Sequence, residues 1–306
     1  MTNIASGRRV HFATILLATD FSPTSDRAFE FALALAERYG ATLHLVHVVS
    51  GDLTGEGLVP DVRYSTLEQL RRTAEEQLTT LANDAQARQV RTRISALHGP
   101  MWPALEAYIQ QEGVDLIVAG THGRRGWSHA ALGSGAEEIF RHASLPVLVV
   151  GHARQKAGVE PMKTIVYATD LSPTAAPAAE YAASLAQEFE AKLILLHVPP
   201  AKDMERQVGV ALMRSYVEEL KSTVPESAAV WANVEYDIAP GKPKEQVLEM
   251  AQKRGADLIV IGARHAGGLA ARLPSTAHHI IAHAVCPVLV IPNAAPAVPA
   301  QARDVA

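Results

Sequence analysis

The chain repeats itself once, and that repeat limits what it can fold into. Thr14 to Thr24 reads TILLATDFSPT, and Thr164 to Thr174 reads TIVYATDLSPT, 150 positions later. His47-Val48 recurs as His197-Val198 at the same offset. DLIVAG from Asp115 to Gly120 recurs as DLIVIG from Asp257 to Gly262, now 142 positions on. PVLVV from Pro146 recurs as PVLVI from Pro287 at an offset of 141. The second copy has therefore lost about nine residues, mostly from its middle. A period of this size is a domain duplication, because solenoid repeats run to about 20–50 residues. Two domains follow, over 1–151 and 162–293. The polar stretch 152–161, with Gly158 and Pro161, reads as a linker. The Ala/Pro-rich residues 294–306 read as a disordered tail.

Inside each copy, short apolar runs alternate with helical spacings. In the first, Ile15–Ala18 is a buried strand. Ser22 is a good N-cap and Pro23 fits the first helical position. Ala28, Phe31, Ala32, Leu35 and Tyr39 follow at helical spacing, and Gly40 ends the helix. Leu43–Val49 is a second strand, and Leu67, Leu70, Ala74, Leu78 and Leu81 mark a second helix. Val90–Leu97 is a third strand, more polar and so nearer an edge. Pro103–Gln111 is a helix, Leu116–Ala119 and Val147–Val150 are strands, and a further helix runs from about Gly135 to His142. Helices between short apolar strands imply a parallel sheet covered on both faces, an α/β domain.

Bulk properties exclude several functions. A net charge of −4 gives no reason to expect nucleic acid or an anionic membrane as partner. No run approaches the roughly 18 apolar residues of a membrane span. The apolar stretch Phe12 to Ala18 follows Arg8-Arg9, but it ends in Thr19-Asp20 without a small-residue cleavage site, so it reads as a strand and not a signal peptide. The single cysteine, Cys286, cannot staple the chain internally and suits a reducing cytoplasm.

After the fourth strand comes Gly120-Thr-His-Gly123, then nine residues, then Gly133-Ser134 and a helical segment. Strand, glycine-punctuated loop and helix N-terminus in succession suit a phosphate. Glycines let the backbone approach a ligand and adopt positive φ. Free N–H groups at the helix start point at the anion, aided by the helix dipole. Ser134 adds a hydroxyl as cap or ligand, and His122, Arg124 and Arg125 supply donor or positive character. The loop is not a Walker loop, since no Lys-Ser/Thr follows the last glycine, and it lacks the tight spacing of dinucleotide folds.

The spacing Gly-x2-Gly-x9-Gly-Ser/Thr resembles the ATP-binding signature of the universal stress protein family. Ala18-Thr19-Asp20, Leu45-Val46-His47-Val48 and the closing HASLPVLVV from His142 resemble that family too, and the likeness spans nearly the whole chain, twice. It implies two doubly wound, five-stranded parallel-sheet domains in tandem, each with strand order 3-2-1-4-5. That order sets the ends of strands one and four side by side, where ligands of open α/β sheets bind. By similarity, Ala18, Asp20 and Val48 face adenine or ribose. Gly120, Gly123, Gly133, Ser134 and the backbone of Gly135 hold phosphates, with His122 and Arg124 beside them. The implied cofactor is ATP, alone or with Mg, and the implied role is a stress-response regulator that binds ATP in its first domain and acts on protein partners the sequence does not name. Asp20 has an alternative reading as a cap on the turn into the Ser22-Pro23 helix. Single-domain members commonly dimerise through their last strand, so Val147–Val150 and Val288–Ile291 are expected to pair within this chain as an intramolecular pseudo-dimer, with a homodimer of whole chains left open.

The second copy departs from the pattern. Gly262-Ala-Arg-His265 replaces Gly-x2-Gly, and Pro274 replaces the third glycine, while Ser275 and Thr276 survive. Proline removes an N–H donor and forbids positive φ, so this domain is expected to bind ATP weakly or not at all. It also gathers His265, His278, His279, His283 and Cys286. His279 and His283 share a helix face at a spacing metals use, with Cys286 three residues on. Against zinc, His142 matches His283 in the first copy with no cysteine beside it, so a structural histidine and a buried thiol are favoured. No nucleophile elbow, HExxH or carboxylate triad accompanies the loop, which leaves at most weak ATPase activity or autophosphorylation on Ser134 or Thr121. The alternatives are an enzyme of the related adenine-nucleotide α/β folds, whose Ser-Gly-Gly-x-Asp-Ser, His-Ile-Gly-His and Lys-Met-Ser-Lys-Ser signatures are missing here, and a zinc or interaction module on the second domain.

Overall fold

Apolar runs flanked by helical periodicity become parallel strands with helical crossovers, and in this chain they do so twice. The computed structural model describes residues 10–49, 60–121, 132–151, 162–201, 209–224, 233–263 and 275–293. The chain divides into one unit of Phe12–Ala143 and another of Ser144–Ala306 with Met1–His11. The first holds β1 (Thr14–Ala18), α1 (Pro23–Tyr39), β2 (Thr42–Val49), α2 (Pro60–Ala87), β3 (Arg91–His98), α3 (Met101–Glu112), β4 (Leu116–Gly120) and α4 (Ser134–His142). Its strands are parallel in the order β3-β2-β1-β4. Central β1 pairs Ile15 with both Leu43 and Leu116, and Ile15, Leu16 and Leu17 are completely buried. β3 lies at the margin, and its Ile94 is exposed, as its polar sequence predicts.

The other unit holds β5 (Val147–Val150), β6 (Thr164–Thr169), α5 (Ala176–Glu188), β7 (Lys192–His197), α6 (Gly209–Thr223), β8 (Val234–Ile238), α7 (Pro243–Arg254), β9 (Leu258–Ala263), α8 (Ser275–His283) and β10 (Val288–Pro292). Its order is β5-β10-β9-β6-β7-β8. The strands of the second copy therefore lie 3-2-1-4-5, all parallel. β5 joins β10 antiparallel, with Leu148 opposite Leu289, so the last strands of the two copies pair.

The predicted punctuation is present. Ser22 caps α1 by accepting the Ser25 N–H, Pro23 opens the helix, and Gly40 closes it at φ 64°. The residues missing from the second copy fall largely at one place, because α2 has 28 residues and its counterpart α6 has 15. The repeated aspartates before β4 and β9 have a shared task. Asp115 Oδ2 accepts the Ala13 and Thr14 N–H groups at 2.8 and 2.9 Å, and Asp257 Oδ2 accepts those of Lys163 and Thr164 at the same distances. Each carboxylate ties the start of its domain's first strand to that of the fourth. Among the described residues no helix is long and apolar enough to cross a membrane.

Candidate functional site

The repeated Ala-Thr-Asp sequence builds a turn at the carboxyl end of the first strand. Thr19 Oγ1 accepts the Phe21 N–H at 3.0 Å, and Asp20 Oδ1 accepts the Ser22 N–H at 3.1 Å and the Ser25 hydroxyl at 2.6 Å. These bonds hold Phe21 at φ 60°, a conformation that side-chain-bearing residues seldom adopt. His47 Nδ1–H donates to the Thr19 carbonyl at 2.7 Å and its ring lies 4.8 Å from that of Phe21. The carbonyl can only accept, which fixes the proton on Nδ1. The turn recurs in the second copy. Leu171 is at φ 61°, Thr169 and Asp170 accept the Leu171 and Ser172 N–H groups, and His197 bonds Thr169. The repeated Thr, Asp and His thus have a local structural purpose, and Asp20 is both the turn cap and a wall of the cavity described next.

Across the winding reversal, β4 ends at Gly120 against the start of α1. A Cβ on Gly120 would lie 3.0 Å from the Thr24 carbonyl carbon and 3.1 Å from the Ser25 nitrogen. This glycine is demanded by helix–strand packing whether or not a ligand is present. Gly133 is the N-cap of α4 with φ −62° and ψ 150°, so it does not use the left-handed freedom that the loop's glycines suggested. Its N–H donates to the Thr121 carbonyl at 2.7 Å, which leaves that amide committed to the fold. Ser134 is the first helical residue, one place past the N-cap, so it does not cap the helix. The first-turn amides of Ser134, Gly135 and Ala136 precede the first residue able to bond back within the helix, and Glu137 N–H already reaches Gly133 O. These three amides are the donors this element offers.

The turn after β1 and the first turn of α4 face one another across a cavity of about 540 Å³. Of the predicted residues, Ala18, Asp20, Val48, Gly120, Gly133, Ser134 and Gly135 all line it. His122, Gly123 and Arg124 lie outside the described residues. The volume is within the usual range for small-molecule sites, about 300–1,000 Å³. Sequence reasoning missed Met101, Leu105 and Glu138, which line the same cavity. Glu138 Oε1 accepts the Trp102 N–H at 3.2 Å, so it serves the otherwise uncapped start of α3. No motif marks these residues, because they meet the site only through the packing of α3 against α4. The described lining carries two carboxylates, Asp20 and Glu138, and no Lys or Arg. What it offers an anion is the amino end of α4, with room beside it: a Cβ on Gly135 would meet only Met101 Cε, at 3.5 Å.

The equivalent place in the second copy also holds a cavity, of about 510 Å³, between the turn after β6 and the start of α8. Thr276 stands there at the place of Gly135, and Ala175 at that of Ser25. Pro274 lies outside the described residues, and the N–H that proline lacks is not one a phosphate would lose. The matching N–H in the first copy, that of Gly133, is spent on Thr121 and is no phosphate donor. His279 and His283 stack with ring centroids 4.2 Å apart, and His283 Nδ1–H donates to the His279 carbonyl at 2.9 Å. Burial first, and then the neighbouring His283, hold the His279 pKa below its ordinary value. Cys286 is 4% exposed, and burial pushes its thiol up to about 12. Among the described residues no group of three or more metal-binding side chains comes together.

The model of the Universal stress protein family matches residues 11–151 and again 161–292. A universal stress protein of Mycobacterium tuberculosis is 28% identical over 314 residues, covering 94% of this chain and 97% of the relative. One from Methanocaldococcus jannaschii is 33% identical over 139 residues, covering 42% of this chain and 81% of its own length. The crystal structure of a universal stress protein from Archaeoglobus fulgidus superposes with a TM-score of 0.71 at 23% identity, covering 92% of this chain and 98% of that one, a likeness of fold. The chain belongs to the universal stress protein family and carries two of its domains in tandem.

Proposed function

We propose that the domain over 1–151 binds ATP as a regulatory ligand, with little turnover, and that occupancy alters the surface offered to protein partners in a stress response. The observation that carries this is the cavity between the ends of β1 and β4, where the amides of Ser134, Gly135 and Ala136 open beside a residue without a side chain. Adenine and ribose lie against Ala18, Val48 and Asp20, whose carboxylate accepts hydroxyl donors. The phosphates lie toward Gly120 and the start of α4. Asp20 and Glu138 oppose a bare polyanion, so ATP enters with a divalent cation such as Mg²⁺ to offset its charge. The single thiol supports a cytoplasmic setting, and the domain over 162–293 serves as a structural partner with little affinity for ATP.

Mass spectrometry of the nucleotide released from native protein tests the ligand, and calorimetry tests the site. Gly135→Val adds a side chain to the cavity wall at a place where its Cβ would meet only Met101 Cε, at 3.5 Å. Its expected effect is at least tenfold weaker ATP binding with an unchanged circular dichroism spectrum. EDTA is expected to weaken ATP binding to the unsubstituted protein. Protein that retains no adenylate, together with ATP binding that ignores Gly135→Val, would overturn the reading.

A further inference from the structure

The second cavity is nearly the equal of the first in size, yet its lining is changed at one end and kept at the other. We propose that it binds a nucleoside and discriminates against the corresponding nucleotide. The choice of base and ribose rests on the nucleotide reading of the first cavity, whereas the exclusion of phosphate rests on the second cavity itself.

The end that would meet base and ribose is retained. Ala168, Asp170 and Val198 line the second cavity at the positions of Ala18, Asp20 and Val48. The turn that presents Asp170 keeps the bonds made through Thr169, Ser172 and His197, and loses only the one from the Ser25 hydroxyl, whose place Ala175 takes. Deeper in, Ile261 replaces Ala119 and Leu196 replaces Val46, so the floor is more apolar than in the first domain. An apolar floor with a carboxylate at the exposed lip suits a flat heterocycle carrying hydroxyl donors.

The end that would meet phosphate is not retained. Thr276 occupies the second position of α8, where α4 has Gly135 without a side chain, and it lines the cavity. The amides at the start of α8 remain, but the approach to them is narrowed by a β-branched side chain. As in the first cavity, the described lining has no Lys or Arg to offset a phosphate's charge, so that task falls to the start of α8 alone.

The test uses the full chain, with adenosine and AMP as probes in calorimetry and in hydrogen exchange. Adenosine is expected to slow exchange at the end of β9 and the first turn of α8. Asp170→Asn, which keeps an acceptor for the Ser172 N–H, is expected to weaken that binding at least tenfold. AMP is expected to bind there at least tenfold more weakly than adenosine, and Thr276→Gly to narrow the gap. Adenosine that leaves β9 and α8 unprotected overturns the proposal, as does AMP that protects them equally well. ATP titrated into the same samples reports on β4 and α4, so a failure of the nucleotide reading in the first domain is seen separately.

Discussion

Gly120 and Gly262 stand at equivalent positions but are held by different forces. The Cβ of an alanine at 120 would press to 3.0 Å against the Thr24 backbone, whereas one at 262 would meet Ala175 Cα at 3.4 Å, an ordinary contact. Backbone cannot yield as a side-chain tip can, so Gly120→Ala is expected to cost about 1–3 kcal/mol by overpacking. Gly262→Ala is expected to stay within about 0.5 kcal/mol. Chemical denaturation of the two variants checks the contrast, and equal midpoints would sink it. Cys286 gives a second prediction at this scale. Burial raises its pKa from 9.0 to about 12, so the fold holds the thiol protonated where the unfolded chain ionises. Its contribution to stability is therefore whole below pH 9 and is lost as pH climbs toward 12. By pH 10 the loss is about 1.4 kcal/mol. Tyr167, raised from 10.0 to about 12 by burial, adds a smaller decline, about 0.4 kcal/mol at pH 10. Denaturation midpoints at pH 8.5 and 10 should show this slope in the unsubstituted protein, and Cys286→Ala should lose the larger part of it.

At the scale of elements, the sequence is readable where chemistry is local. Ser22-Pro23 and Gly40 mark both ends of α1 because capping needs only neighbouring residues. The crevice is readable because strand order alone brings β1 and β4 together, so seven of the predicted residues meet in one cavity. What escapes notice depends on partners far along the chain. Nothing in the loop shows that the Gly133 N–H is committed to Thr121, or that Glu138 reaches Trp102 across two helices. The repeated Asp115 and Asp257 are visible as letters, but their task appears only when the first and fourth strands lie side by side. Two bonds from a carboxylate to backbone amides contribute about 1–3 kcal/mol, reduced here by exposure. Asp115→Ala and Asp257→Ala are each expected to destabilise by about 1–2 kcal/mol in denaturant titration, with Asn in place of Ala recovering part of the loss. A variant as stable as the parent would show that water replaces the carboxylate without cost.

At the scale of the whole chain, duplication has produced two domains with one backbone plan and two different mouths. Turns, aspartates and cavities are shared, and cavity volumes differ little, at about 540 and 510 Å³. Available space therefore does not decide what each domain holds. The difference lies in single side chains at the rim: Gly135 against Thr276, and Ser25, which donates to Asp20, against Ala175. If those residues decide, ATP binds with a stoichiometry of one per chain even at high concentration. It then stabilises the folded chain by about 2.7 kcal/mol at a hundredfold excess over its dissociation constant. Hydrogen exchange in saturating ATP should slow at the end of β1 and the first turn of α4 and stay unchanged at α8. Two equivalent ATP sites per chain would mean that the shared backbone plan, and not the rim, sets affinity, and the division of labour between the copies would fall.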